Sequence, residues 1–307
     1  MRTPTPRSHH RSRKSQQRLR SSRRKRVLSL IRAAAVQLSA SADKKKNLVR
    51  ALKLIARAAA GGARLIALPE NFLFRGTDRQ LQKIAEPMNG PSMSAMSDAA
   101  ARHGIFLLAG SFAEAVKGSR KMLNTSCFFG PSGKILAAYR KMHLFDVDLP
   151  PHRDAGKAKK IRESDYFLRG KKPVLTEASL TKPGIQCGLS ICYDLRFPEL
   201  YRGYALRGAQ ILFVPSNFTR QTGQEHWEPL LRARAIENQC FVIAPGQSGV
   251  GSQGVLSHGT SLILDPWGRI LAKGPAAGEA ILYANLDLKL LDSVRKTLPS
   301  LKEASLS

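Results

Sequence analysis

Three polar residues stand at the ends of apolar, strand-like runs: Glu70 after residues 64–68, Lys141 after residues 134–139, and Cys192 at the close of residues 185–192. Their chemistries fit together. A thiol becomes a nucleophile when a base takes its proton. A carboxylate in a dry site can shuttle that proton. A fixed cation can stabilise the oxyanion that forms when the thiolate attacks a carbonyl. Each residue also has an ordinary reading. A cysteine in an apolar strand is a small core residue, a glutamate before a helix can be a cap, and a lysine is commonly solvated. What argues for a shared site is position, because residues at strand ends gather along one edge of a layered sheet.

The elements around these residues are legible from pattern. The run 185–192 is apolar enough for a buried strand and breaks at Tyr193-Asp194. Pro198 then suits the first turn of a helix, where its missing N–H costs nothing. Backbone N–H groups at such a junction favour a thiolate or an oxyanion. Upstream, residues 31–38 read as the first strand. Ser41 is a candidate N-cap for a helix to about Ala60, with Leu48, Leu52, Ile55, Ala56 and Ala59 on one face and Gly61-Gly62 ending it. Residues 91–103 suggest a helix and 105–112 a strand. Residues 125–129 and 134–139 flank Pro131-Ser132-Gly133, a hairpin signal.

Residues 150–172 show no period and carry many charges, so they read as one long surface loop. After the cysteine comes a helix to about Arg207, a strand over 210–215, a helix over 225–238 and a strand over 240–244. Residues 258–264 and 269–273 bracket an Asp265-Pro266-Trp267-Gly268 turn, and 280–286 form the last strand. Strands and helices alternate, with hairpins mixed in. This predicts a mixed-sheet α/β or α+β layered architecture in a single domain over residues 32–307.

Composition bounds the function. The 307 residues are 43% hydrophobic, as in a globular protein, and carry a net charge of +28. Residues 1–31 hold eleven Lys/Arg and no acid, leaving 28 − 11 = +17 for the rest. That tail has little to bury and reads as disordered. Its readings are an inert solvated tail, a mitochondrial transit segment, a nonspecific nucleic-acid arm, or a twin-arginine export signal that Arg32 interrupts. Cys127, Cys187, Cys192 and Cys240 share no C-x-x-C spacing and lie in apolar segments. A metal site and a disulfide scaffold are therefore not expected, and a reducing, cytoplasmic setting is. No apolar run reaches the ~18 residues of a membrane span.

Several stretches in order resemble the nitrilase, or carbon–nitrogen hydrolase, superfamily. They are Ala67-Leu68-Pro69-Glu70-Asn71-Phe72, Tyr139-Arg140-Lys141-Met142-His143-Leu144-Phe145-Asp146, the stretch from Gly188 to Glu199, His226-Trp227-Glu228 through Asn238, and Asp265-Pro266-Trp267-Gly268. The resemblance runs from about Arg32 to Leu298. It implies a four-layer αββα sandwich of two mixed sheets between helices, and a homodimer or larger homo-oligomer. It matches Cys192 to the family nucleophile, Glu70 to its general base and Lys141 to its oxyanion-stabilising lysine. Glu163 is the best match to a second family glutamate. The implied reaction is amide hydrolysis through a thioester, with the oxyanion held by Lys141 and the Tyr193 N–H and no metal or organic cofactor.

Cys192-Tyr193-Asp194-Leu195-Arg196-Phe197-Pro198-Glu199-Leu200 is similar to the branch that holds deaminated-glutathione amidase and omega-amidase. So are Phe218-Thr219-Arg220-Gln221-Thr222-Gly223 and His226-Trp227-Glu228. That branch implies the terminal amide of a 2-oxo acid as substrate. Deaminated glutathione is favoured, with 2-oxoglutaramate next and an aliphatic amide or carbamoyl compound third. Arg196 is then a candidate partner for the substrate carboxylate, or a structural ion pair of Asp194 or Glu199. Phe197, Phe218, Trp227 and His226 are candidate pocket residues, with core packing or a structural hydrogen bond as the alternative for each.

Overall fold

The computed structural model describes residues 30–151, 159–251 and 254–304. The basic tail therefore lies outside the described residues, except that Leu30 and Ile31 already belong to the first strand. In chain order the elements are β1 (Leu30–Gln37), α1 (Lys44–Ala60), β2 (Leu65–Ala67), α2 (Asp78–Ile84), α3 (Pro91–His103), β3 (Phe106–Leu108), β4 (Phe112–Glu114), β5 (Met122–Phe129) and β6 (Ile135–Arg140). There follow β7 (Asp146–Leu149), β8 (Lys159–Arg162), β9 (Phe167–Leu168), β10 (Val174–Ala178) and β11 (Ile185–Leu189). After a 3₁₀ turn over Cys192–Arg196 come α4 (Pro198–Leu206), β12 (Ile211–Phe213), α5 (Arg220–Asn238), β13 (Phe241–Ala244), β14 (Ser248–Val250) and β15 (Leu256–His258). The chain continues through β16 (Leu262–Leu264), β17 (Ile270–Lys273), β18 (Ala280–Asp287), α6 (Leu288–Thr297) and α7 (Ser300–Glu303).

Two sheets carry the fold. One runs β18-β1-β2-β3-β5-β4, with β6 and β9 also paired to β5; the other runs β10-β11-β12-β13-β16-β17. Both have a parallel centre, β1-β2-β3 and β11-β12-β13. The period of two along β1 sorts its side chains. Ala33 and Ala35 enter a core shared with Cys187, Leu189 and Phe213 of the second sheet, while Ala34 and Val36 pack with Leu54 and Ile55 of α1 and Met96 of α3. Phe128 and Phe213 meet across the inter-sheet core, ring centroids 5.8 Å apart. Tyr201, Tyr204, Trp227 and Leu231 bring α4 and α5 against the second sheet. The layers are thus helix, sheet, sheet, helix, the sandwich that the resemblance implied.

Local differences from the sequence reading have local causes. Asp43, not Ser41, caps α1, accepting from the Lys46 N–H at 3.0 Å. Ser41 is occupied by Asn47, whose side chain takes its N–H at 3.0 Å and donates to its carbonyl at 2.7 Å. The single strand expected over 105–112 splits into β3 and β4 at Gly110, which has φ +44°. A Cβ there would lie 2.0 Å from the Pro69 carbonyl oxygen, so only glycine lets this loop touch the turn that carries Glu70. Helix α5 begins at Arg220 rather than 225, because Thr219 accepts from the Thr222 N–H. The long loop read over 150–172 is corrected within its described part, which holds two strands. β8 pairs antiparallel with β7, and β9 pairs with β5.

Candidate active site

The C-terminal ends of the parallel strands converge. Glu70 follows β2, Cys192 follows β11, Asn217 follows β12 and Gln247 follows β13, while Lys141 directly follows β6. β11 stops at Leu189 because Ser190 turns its hydroxyl onto the Phe213 carbonyl at 2.7 Å. Cys192 then takes φ +50°, an uncommon conformation for a residue with a side chain. Its N–H is held by the Pro215 carbonyl at 3.0 Å.

Asp194 fixes this turn against the segment that carries Lys141. It is fully buried and accepts from the Ile191 N–H at 2.8 Å and the Tyr139 hydroxyl at 2.7 Å. Its other oxygen meets the His143 N–H at 3.0 Å and His143 Nδ1 at 2.7 Å. One carboxylate thus ties the two chain segments together with both oxygens satisfied.

Glu70 and Lys141 are 3% and 2% exposed, and the lysine Nζ lies 3.0 Å from Glu70 Oε1. Glu70 also accepts from Asn124 Nδ2 at 3.0 Å and from the Asn217 N–H at 2.7 Å, and its charge acts on the Cys192 thiol nearby. Lys141 Nζ reaches Glu163 at 2.9 and 3.1 Å. Glu163 stands just past β8, where the Phe145 N–H holds its Oε2 at 2.6 Å.

The electrostatics follow from this packing. Burial opposes the Lys141 ammonium, but the Glu163 and Glu70 carboxylates outweigh it and hold its pKa well above the usual lysine value. Burial pushes the Glu163 carboxyl up; Lys141 pulls it back and Glu70 pushes it further, with a net rise. Burial raises the Cys192 thiol well above its usual value and Glu70 adds to the rise, while Lys141 opposes it. The resting thiol is therefore protonated, with the Glu70 carboxylate near enough to act as its base.

A cavity of about 540 Å³ opens onto this cluster, its wall including Glu70, Lys141, Glu163, Cys192, Tyr193 and Phe218. The other candidate pocket residues surround this wall. Trp227 is buried on α5, with its Nε1 donating to the Thr260 carbonyl at 2.7 Å, and its ring lies 5.1 Å from that of Phe218. Phe197 stacks on His143 with centroids 3.6 Å apart. Arg196 lies 3.2 Å from the exposed His226 and over the rings of Tyr193 and Phe218, two residues of the cavity wall. Asp194 does not pair with Arg196, since its oxygens are spent on backbone N–H groups, Tyr139 and His143.

Asn124, Asn217, Gln247 and Arg75 were not singled out from sequence. Asn124 sits in the middle of β5 and bonds to both Glu70 and Glu163. Its signal is the polar run Asn124-Thr125-Ser126 inside an otherwise apolar strand, all fully or nearly fully buried. Gln247 Nε2 supports the Glu70 carbonyl at 3.0 Å. Only the three-dimensional meeting of β2 and β13 reveals that contact.

Known proteins give the arrangement its context. A family model described as carbon-nitrogen hydrolase matches residues 32–296. The chain is 42% identical over 274 residues to the deaminated glutathione amidase of Synechocystis sp., covering 88% of this chain and 96% of that protein. It is 37% identical over 276 residues to the omega-amidase NIT2 of Mus musculus, covering 90% and 95%. Among solved structures, it superposes with a TM-score of 0.70 at 26% identity on a mutant of the amidase from Nesterenkonia sp. AN1, covering 88% of this chain and 98% of that one. In that amidase the active-site cysteine carries the product of Michael addition of acrylamide. The chain belongs to the carbon–nitrogen hydrolase family, and its chemistry is hydrolysis of a non-peptide carbon–nitrogen bond.

Proposed function

We propose that Cys192 is the nucleophile of an amidase acting on the terminal amide of a 2-oxo acid, with deaminated glutathione as the favoured substrate. The observation that carries this reading is one buried cluster: Glu70 accepts from the Lys141 ammonium at 3.0 Å, and the same carboxylate raises the pKa of the Cys192 thiol beside it. In the proposed reaction Glu70 takes the thiol proton as sulfur bonds to the amide carbon. The oxyanion is stabilised by Lys141 and by the Tyr193 N–H, the first amide after the nucleophile, since the Cys192 N–H is already spent on Pro215. Glu70 returns the proton to the departing nitrogen, ammonia leaves, and a thioester remains. A water that gives its proton to Glu70 then releases the carboxylic acid and the free thiol. Glu163 keeps Lys141 charged and fixed in place.

The substrate assignment is supported by the amidase relatives and by the branch motif from Cys192 to Leu200. Omega-amidase activity on 2-oxoglutaramate is the second reading, supported by the similarity to the mouse omega-amidase. Ammonia release from both compounds, with Cys192→Ala as control, tests the proposal. Release that needs Cys192 and favours deaminated glutathione supports it. No release from either by folded protein sinks the substrate class.

A homodimer or larger homo-oligomer is proposed on an apolar surface. Exposed Ile236 lies against Gly268, beside exposed Trp267, and Gln239, three residues on from Ile236, bonds to the carbonyl of exposed Leu298. Sedimentation of Ile236→Asp tests it; an unchanged mass would exclude that face. Among the described residues no helix is long and apolar enough to cross a membrane. A cytoplasmic setting is proposed because the cysteines are free thiols, and nonspecific polyanion contact is proposed for the basic tail.

A further inference from the structure

Arg75 is a buried cation without a carboxylate partner. It is 6% exposed and belongs to the wall of the same cavity as Cys192. Its Nη1 donates to the Ser248 carbonyl at 2.7 Å, and its Nη2 to the Gly249 carbonyl at 3.1 Å and the Ser257 hydroxyl at 2.7 Å. All three acceptors are neutral, and Nε is buried with no hydrogen-bond partner. Among the described residues no Asp or Glu lies within ion-pair distance of it. Of the other cations of the wall, Lys141 is matched by Glu70 and Glu163, Arg162 by Asp148 at 2.7 Å, and Lys160 is exposed to solvent rather than buried.

Burying a guanidinium without a counter-charge is expensive, and the cost is relieved when an anion arrives. Burial lowers the pKa of Arg75 only to about 10, so it carries its charge at neutral pH. The position is also wired to the reaction centre. Ser257 passes its proton donor to Asn217 Oδ1 at 2.7 Å, and the Asn217 N–H holds Glu70 Oε2 at 2.7 Å. An anion seated near Arg75 therefore settles at one end of a hydrogen-bond chain whose other end is the carboxylate beside Cys192.

We propose that Arg75 is the anion subsite of the cavity, selecting amides that carry a carboxylate remote from the reacting carbonyl. This rests on the amidase reading given above and gives its specificity a residue.

The test compares two amides of equal chain length, anionic glutaramate and neutral pentanamide, in the full-length protein. The readout is the ratio of their kcat/KM values, which a general loss of activity does not move. Wild type should favour glutaramate by roughly 10- to 100-fold, the scale of a hydrogen bond to a charged group. Arg75→Met should bring the ratio close to one, and Arg75→Lys should retain part of it. A ratio unchanged in Arg75→Met, or no preference in wild type, overturns the proposal.

A second measurement needs neither turnover nor a variant. Glutarate should protect Cys192 of wild type from iodoacetamide at concentrations where neutral 1,5-pentanediol does not. Equal protection by the two overturns the subsite even if Arg75→Met fails to fold. Protection by glutarate without turnover of either amide would instead sink the amidase reading and keep the subsite.

Discussion

Cys187 and Cys192 lie in one stretch of chain, both buried, and they differ in everything that makes a thiol reactive. Cys187 is in β11 with its side chain in the apolar inter-sheet core, and burial pushes its pKa far up, with Cys240 adding slightly. Among the described residues its sulfur's one hydrogen bond is to the Ile185 carbonyl, with no acid, base or cation. Cys192 feels the same burial, yet it sits on a left-handed turn against a carboxylate and within reach of an ammonium. Burial alone therefore makes an inert cysteine. What changes Cys192 is that the strand stops and the chain turns into the gap where Glu70, Lys141 and Asn124 meet.

The comparison breaks most decisively by exchanging each thiol for a methyl group. Cys192→Ala should reduce ammonia release by at least roughly 10,000-fold, as for other nucleophile deletions. Cys187→Ala should keep turnover and lower the unfolding free energy by about 1 kcal/mol, measured by denaturant titration. Loss of activity in folded Cys187→Ala would end the distinction. Next in size is Lys141→Ala, for which kcat should fall by about 100- to 1000-fold. A smaller loss would mean that the ammonium serves the fold more than the oxyanion.

Asp194→Asn sharpens the point about geometry. It removes the charge that binds the Cys192 turn to Tyr139 and His143 without emptying the site. A misplacement of the nucleophile should lower kcat by roughly 10- to 100-fold, with KM little moved. A change in KM alone would argue against a positioning role. The smallest effect is one of shape. Burial and Glu70 raise the Cys192 thiol and Lys141 only partly offsets them, so the thiolate fraction of the free protein grows with rising pH. The rate of alkylation by iodoacetamide should therefore still climb past pH 9.0, the ordinary thiol value. A plateau below neutrality would show a preformed thiolate, and the proton transfer to Glu70 would then have to be discarded.

Much of the architecture is readable because local rules suffice. The helix over residues 91–103 is found with its ends in place, bounded by Pro91 at the start and Gly104 in the left-handed region at the end. The hairpin around Pro131-Ser132-Gly133 joins β5 to β6. Helices α2 and α6 escape notice. α2 has no buried residue and so leaves no apolar stripe, whereas α6 does carry one, Leu288, Leu291 and Val294, directly after the last strand with no break in the chain to mark its start. The β7–β8 hairpin is equally hidden. Its strands are charged, and none of their residues whose burial is described is fully buried, so backbone pairing rather than an apolar face makes the strand.

At the site, the sequence determined which chemical groups exist and that they end strands: a thiol, two carboxylates and a lysine, each beside an apolar run or a turn. Those facts depend on residues near in the chain, and pattern reads them. The tertiary structure decided who meets whom. It brought Asn124 and Gln247 to Glu70 across two sheets, set Arg196 over the rings of Tyr193 and Phe218, and packed Trp227 against Phe218. It also left Arg75 buried in the wall without a counter-charge. The contacts with Glu70 join residues tens to nearly two hundred positions apart, and they depend on how two sheets pack. No local period in the chain encodes that packing.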